Sequence, residues 1–153
     1  MTKKKMASKK TYTPEDPAPW ALKRVPDHLP VPTVCCLCSG PVVVKHHKEV
    51  YGKAYGDWPW MYSCTQCDAQ VGMHPFTHLP LGVLADKKTR FARMTFKDRF
   101  NPLWMDARMD RSEAYRRLAN AMGIPVKRCH IGYFSIADCE RASQALERIK
   151  KAA

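Results

Sequence analysis

The chain contains, at residues 64–86, the stretch "CTQCDAQVGMHPFTHLPLGVLAD", which begins with two cysteines separated by two residues. The earlier stretch "CCLCSG", residues 35–40, contains a second pair at the same spacing. A C-x-x-C turn brings two thiolates to one side of a metal ion, and zinc takes four soft ligands in a tetrahedron. The two turns therefore predict one four-cysteine zinc site, with the ligands Cys35, Cys38, Cys64 and Cys67.

A shell of four thiolates leaves no open coordination position, so this zinc would not activate a water molecule. The cofactor we expect is one structural Zn²⁺, which would stabilise a segment that has many turns and few large aliphatic side chains. Cys36 does not fit the two-residue spacing and is predicted to be a free thiol.

A second metal site is an open alternative. Its candidate ligands are His74, His78, Cys129 and Cys139. The two histidines are four residues apart, but Pro75 and Pro80 disfavour the regular helix that would place them on one face. No pair in this set has the ligand spacing of the cysteine turns.

The fold we expect is α+β, with a small antiparallel β zinc ribbon packed against about three α-helices. Residues 41–45 and 60–64 are rich in β-branched and aromatic side chains and predict the two strands of the ribbon. The domain division predicted is a flexible, basic, proline-rich tail over 1–30, a four-cysteine ribbon over 31–80 and a basic helical segment over 81–150. The last two segments are expected to pack as one compact domain, and the lead-in before them to be extended because of its prolines.

Three capping signals predict where the helices begin. They are Asp86, the pair Asp110 and Glu113, and the pair Ser135 and Asp138. The first helix is predicted to run to about Arg99, with a short apolar stripe formed by Phe91, Met94 and Thr95. Gly123 is predicted to end the second helix.

The charge of the chain is strongly positive, with 26 Lys+Arg against 14 Asp+Glu and a formal net charge of +12. Such a balance favours nucleic acid, or another acidic partner. The predicted binding residues are Lys87, Lys88, Arg90, Arg93, Lys97, Arg116 and Arg117. Three of them, Arg90, Arg93 and Lys97, are spaced to share one helix face. Because no base-reading pattern is present, binding would be to the backbone or to shape.

Other classes of protein fit the sequence less well. No stretch approaches the run of about 18 apolar residues that spans a membrane, and no small-molecule substrate is evident. The lysine-rich N-terminus is not followed by an apolar segment, so it does not resemble a secretory signal. We expect a cytoplasmic protein whose seven cysteines serve as metal ligands and free thiols rather than in disulfides.

Five aromatic residues cluster in the predicted ribbon. They are Tyr51, Tyr55, Trp58, Trp60 and Tyr62. The interpretation we favour is that they cover the small core of the ribbon and its junction with the helices. Stacking on the bases of a single-stranded nucleic acid is the alternative.

Several motifs together resemble a known family. "CCLCSGPVVV", "VYGKAYG", "PLGVLAD", "RFNPLW" and "CHIGYFSIADCERA" are similar to the zinc-finger-containing domain family of unknown function found largely in tailed bacteriophages. The resemblance covers residues 34–142 and places the metal ligands on the same four cysteines. It also draws attention to His74, Leu81, Gly82, Asp86, Trp104, His130 and Gly132. It implies a small phage accessory protein acting in the cytoplasm of the bacterial host.

The function we expect is that of a non-enzymatic zinc-binding phage accessory protein. It would bind nucleic acid, or an acidic host or phage protein that handles nucleic acid, through a basic face. One alternative is a metal-dependent nuclease of the His-Asn-His type, with His46 or His47 as the base. This alternative is weakened because no asparagine lies between the two cysteine pairs. The other alternative is a structural or assembly protein of the virion.

Overall fold

The computed structural model describes residues 10–106 and 109–152 of the chain, and in them β structure precedes the long helices. The strands are β1 (Val42–His46), β2 (Trp60–Cys64) and β3 (Gln70–Gly72). They form one antiparallel sheet in the order β1-β2-β3. The two strands predicted from the sequence are confirmed to within one residue, and β3 adds a third.

Six α-helices are present in the described residues. They are α1 (Pro19–Leu22), α2 (His47–Tyr51), α3 (Lys87–Phe100), α4 (Pro102–Met105), α5 (Arg111–Met122) and α6 (Ile136–Ala152). Two 3₁₀ turns, Val126–Arg128 and Ile131–Tyr133, connect α5 to α6. The predicted α+β fold is therefore confirmed, and its three expected helices are α3, α5 and α6. The other helices are short and were not expected.

Two of the predicted caps form as expected. The Asp86 carboxylate accepts a hydrogen bond of 2.9 Å from the Thr89 amide and begins α3. At the start of α6, the Asp138 carboxylate accepts from the Ser135 amide at 3.0 Å, and the Ser135 hydroxyl accepts from the Asp138 amide at 3.1 Å. Each bond pairs an amide that would otherwise lack a partner in the first turn.

The third cap is wrong. Asp110 precedes α5 but makes no side-chain bond to the helix. Glu113 instead accepts from Arg117 at 3.0 Å and pairs with Arg116. Two arginines at i+3 and i+4 compete successfully for this carboxylate because oppositely charged neighbours on one helix face attract each other. The other end of α5 is as predicted, since Gly123 ends it in the left-handed conformation.

Buried side chains form two separate hydrophobic clusters. The helical cluster lies among α3, α5 and α6, and its largest buried members are Phe96, Phe100, Leu118 and Leu146. The ribbon cluster lies on the sheet and contains Cys35, Tyr62, Cys64, Ala69, Val71, Met73 and Leu84. No buried residue belongs to both clusters. Within the described residues, the ribbon and the helices therefore each bury a hydrophobic cluster of their own.

The predicted apolar stripe of α3 is wrong. Phe91 and Met94 are 64% and 55% exposed, whereas Phe96 and Phe100 are buried with their rings stacked 5.5 Å apart. Phe91 precedes Phe96 by five residues, which places it well over 90° away around a helix of 3.6 residues per turn. Burying the Phe96–Phe100 pair therefore turns Phe91 toward the surface.

The sequence predicted an extended lead-in, but part of this segment is helical. Residues 19–22 form a helical turn, and Ala18 is fully buried with its amide donating to the Phe76 carbonyl at 2.9 Å. The Trp20 ring lies 5.4 Å from the Phe76 ring. Pro19 is tolerated because a proline in the first helical position has the required φ and needs no amide bond. The lysine-rich residues 1–9 lie outside the described residues.

Within residues 10–106 and 109–152, no helix is both long and apolar enough to cross a bilayer.

Candidate metal centre

Strand pairing brings the two cysteine turns together. Val42, just after the first turn, pairs with Cys64 at the end of β2. The first turn is closed by the Cys35 amide, which donates to the Gly40 carbonyl at 2.8 Å. The second is closed by the Cys64 amide, which donates to the Ala69 carbonyl at 2.9 Å. The register of the ribbon thus places all four thiols at one end of the sheet.

The four sulfurs have the spacing that zinc requires. All of them lie within 4.8 Å of one another, and the Cys35–Cys67 and Cys38–Cys64 sulfurs are 3.7 Å and 3.4 Å apart. A tetrahedral ion with Zn–S bonds of about 2.3 Å separates its sulfurs by about 3.8 Å. The cysteines predicted from the sequence therefore fit one structural Zn²⁺.

Backbone amides donate to two of the four cysteine sulfurs. The Leu37 amide donates to the Cys35 sulfur at 3.4 Å, and the Gln66 amide donates to the Cys64 sulfur at 3.3 Å. The bond from Gln66 lowers the pKa of the Cys64 thiol to about 6. Hydrogen bonds to the charged form favour it, and the thiolate is the form that binds metal.

The chemistry that zinc would supply here is cross-linking of the two turns. Cys35 and Cys64 are buried and belong to the ribbon cluster. The ligands therefore tie the metal directly to the packing of the sheet. Four protein ligands complete a tetrahedral shell, so the arrangement stabilises the fold and offers no position for a substrate.

No second metal site is formed among residues 10–106 and 109–152, where the four cysteines are the one group of three or more suitable donors. Cys129 and Cys139 are buried in the helical cluster instead. Burial raises the pKa of the Cys129 thiol to about 11. His74 is half-buried, and burial together with the nearby His130 and His28 lowers its pKa. Cys36 is a free, exposed thiol, as predicted.

Two of the predicted binding arginines turn inward. Arg90 donates to the carbonyls of Asp68 at 2.7 Å and Ala85 at 2.6 Å. Arg93 donates to the carbonyls of Phe134 at 2.8 Å and Val83 at 2.9 Å. Both side chains join α3 to backbone outside that helix. The spacing of these arginines along the chain gives no indication of this role.

The other predicted cations differ in their surroundings. Lys87, Lys88 and Lys97 are exposed on α3 and form no ion pair with an acid in the described parts of the chain. Arg116 and Arg117 are exposed but share Glu113. Of the predicted cations, Lys87, Lys88 and Lys97 are therefore those that the described residues supply with neither a carboxylate partner nor a bond to a backbone carbonyl.

The signature residues mostly have structural roles. The Trp104 indole donates to the Asn101 amide oxygen at 3.3 Å, while Asp86 caps α3. His130 is exposed, with its ring 4.7 Å from that of Tyr133. These contacts do not assemble a second site around His74, Asp86, Trp104 and His130.

Two signature glycines mark a close crossing of the backbone. A side-chain carbon added to Gly82 would lie 2.2 Å from the Gly132 carbonyl oxygen. The same oxygen accepts a hydrogen bond of 2.9 Å from the Val83 amide. Glycine is required where backbones approach this closely. Both glycines belong to the signature motifs of the sequence, but nothing in the sequence indicates that they meet.

The aromatic residues of the ribbon divide into two groups. Tyr62 is buried in the ribbon cluster, with Trp58 and Trp60 packed against it, so the core interpretation is right for these three. It is wrong for Tyr51 and Tyr55, which are 49% and 51% exposed and belong to neither hydrophobic cluster.

Comparison with known proteins supports the same description of the molecule. A family model for a zinc-finger-containing domain matches residues 31–149, which include the whole ribbon and most of the helical segment. No curated protein and no solved structure matched the chain.

Proposed function

The chain belongs to the family of zinc-finger-containing domains, and we propose that it is a non-enzymatic module that binds the phosphate backbone of nucleic acid through its helical segment. The supporting observation is where the charge lies. Residues 81–150 contain 15 Lys+Arg against 8 Asp+Glu, whereas residues 31–80 contain 3 of each. Between these two segments, the excess of cations is therefore on the helices and not on the zinc ribbon.

The exposed face of α3 carries lysines that form no ion pair with the described acidic residues. Lys87, Lys88 and Lys97 reach solvent, and the exposed Phe91 and Met94 lie on the same helix. Lysine ammonium groups bind phosphates as point charges and release counterions from the nucleic acid. Apolar side chains beside them can pack against sugars or bases. We name these five residues the α3 face.

Two observations support the non-enzymatic part of the proposal. The metal shell is complete without a substrate, and both histidines considered as a nuclease base are engaged through Nδ1. His46 accepts from the Lys48 amide at 3.1 Å, and His47 accepts from the Tyr55 amide at 3.2 Å. We propose that zinc holds the ribbon as a scaffold while the helices bind. The resemblance to phage proteins would place this activity in the cytoplasm of a bacterial host.

The test is equilibrium binding of the zinc-loaded full chain to labelled single- and double-stranded DNA and RNA across a salt series. Each phosphate that a lysine neutralises contributes about 0.9 to the slope of log affinity against log salt on duplex DNA. The variant Lys87→Ala/Lys88→Ala/Lys97→Ala is therefore expected to reduce the slope by about 2 to 3. A single Lys23→Ala change in the lead-in provides a control outside the α3 face.

A chain lacking residues 1–10 is measured beside these variants, because five lysines fall in that segment. If binding disappears with that segment and the triple variant binds as well as wild type, the helical proposal is wrong. Binding to an acidic protein with no affinity for nucleic acid at physiological salt would also overturn it.

A further inference from the structure

We propose that the tip of the ribbon is a stacking site for the unpaired bases of single-stranded nucleic acid. The ribbon tip is formed by His47, Tyr51, Lys53 and Tyr55, which lie between β1 and β2. The inference rests on the proposed nucleic-acid function and adds to it a preference for single strands.

Three rings of the ribbon tip form one cluster, in which both tyrosines are exposed and His47 is partly buried. The Tyr51 and Tyr55 rings are 5.6 Å apart and meet edge to face at 84°. The His47 ring lies 5.7 Å from Tyr51 and 6.1 Å from Tyr55. Single exposed aromatic side chains are common on protein surfaces. Three that contact one another while both tyrosines stay about half exposed form a surface of the kind on which bases stack.

The tip is held in place by its own hydrogen bonds. The short helix α2 has a capping box, in which the His46 side chain accepts from the Lys48 amide and the Glu49 carboxylate accepts from the His46 amide at 2.7 Å. Gly52 ends the helix in the left-handed conformation, with φ of 78°. The bond from the Tyr55 amide to His47 Nδ1 then fixes the ring of His47 beside Tyr55. A preorganised surface binds with less loss of conformational entropy.

The exposed tyrosines are not used to hold the ribbon together. The neighbouring aromatics fill that role, since Trp58 donates to the Thr77 carbonyl at 3.0 Å and Tyr62 donates to the His78 carbonyl at 2.7 Å. Tyr51 and Tyr55 are outside both hydrophobic clusters. Their rings are therefore available to a ligand.

The charge beside the rings favours nucleic acid as the occupant. The Lys53 ammonium lies 5.0 Å from the centre of the Tyr55 ring, and Lys48 is exposed on α2. Glu49, the acid of α2, accepts from the His46 amide, which holds its carboxylate at the start of that helix. A base stacked on the tyrosines would bring its phosphate near these lysines. Every base has a π face, so the site would accept single strands with little regard to sequence.

The experiment compares three ligands with the zinc-loaded full chain: oligo-dT of about 12 nucleotides, an abasic oligonucleotide of the same length, and a duplex. The Tyr51→Ala/Tyr55→Ala variant is expected to lose about tenfold in affinity for oligo-dT per ring, which is at the modest end of base–aromatic stacking. Its affinity for the abasic strand and the duplex is expected to stay at the wild-type value. The matched Tyr51→Phe/Tyr55→Phe variant keeps both rings and is expected to bind oligo-dT like wild type.

The outcomes separate the two proposals. If wild type binds no nucleic acid, the proposed function fails and the inference fails with it. If wild type binds all three ligands equally, or the alanine variant loses affinity equally for all three, the inference alone is wrong. Fluorescence of 2-aminopurine placed in the dT strand gives a second measure on wild-type protein, and no change on binding would also overturn the stacking site.

Discussion

Arg93 is expected to stabilise the fold and not to bind nucleic acid, although the sequence placed it on a basic face. Its guanidinium donates to the carbonyls of Phe134 and Val83 at 2.8 Å and 2.9 Å. Burial lowers the pKa of this group. We therefore predict that Arg93→Met, which keeps most of the aliphatic stem, destabilises the chain because α3 loses its bonds to the backbone at Val83 and Phe134.

The magnitude follows from the two bonds. A hydrogen bond from a charged donor contributes about 1.5–3 kcal/mol. The bond to Phe134 is partly buried and that to Val83 is exposed, so we count about 2 kcal/mol for the first and about 1 kcal/mol for the second. The expected loss is about 3 kcal/mol, which corresponds to about 1.5 M in the urea midpoint if the slope is about 2 kcal/mol/M.

The assay is urea unfolding of the zinc-loaded chain, with nucleic-acid affinity measured on the same samples. Arg99→Met is the matched control, because it removes one cation from the same helix and breaks only an exposed pair with Glu147 at 2.8 Å. Exposed pairs contribute about 0–1 kcal/mol. If Arg93→Met unfolds at the same urea concentration as the control and loses affinity as the lysine variants do, the reasoning is refuted.

The remaining predictions concern the metal, the crossing of the backbone and the buried thiols. Removing zinc with a chelator is expected to unfold the ribbon cluster before the helical cluster, because the two share no buried residue; simultaneous loss of hydrogen-exchange protection in both would contradict this. Gly82→Ala is expected to destabilise the chain by about 3 kcal/mol, since its new carbon would lie 2.2 Å from the Gly132 oxygen. Gly72→Ala, whose carbon would meet only a Leu81 methyl at 3.1 Å, is the control in the same melting experiment, and equal effects would argue against the clash. Cys129, with a pKa raised to about 11 by burial, is expected to resist iodoacetamide at pH 8 and to react only as the pH approaches that value. The exposed Cys36 is expected to react readily, and mass spectrometry showing equal modification of both thiols with zinc bound would contradict the prediction.

Signals that act over a few residues were read correctly from the sequence. The spacing of the cysteine pairs located the metal ligands, because each C-x-x-C turn is a local structure that needs only its own backbone. The caps formed by Asp86 and by Ser135 with Asp138 were found for the same reason. The predicted cap of Asp110 with Glu113 is wrong although it is equally local, because Glu113 pairs with the two arginines that follow it.

The tertiary structure decided which side chains of the same type are exposed and which are held by contacts inside the fold. The sequence by itself determined the zinc ligands, the α+β class, the strands β1 and β2, the starts of α3 and α6 and the end of α5. It could not show that Arg93 meets Phe134, 41 residues away, or that Gly82 meets Gly132. Nor could it separate the exposed tyrosines of the ribbon tip from the aromatic side chains that fill the core. These properties depend on partners distant in the chain, and a pattern along the sequence records a residue's type and spacing but not what it contacts after folding.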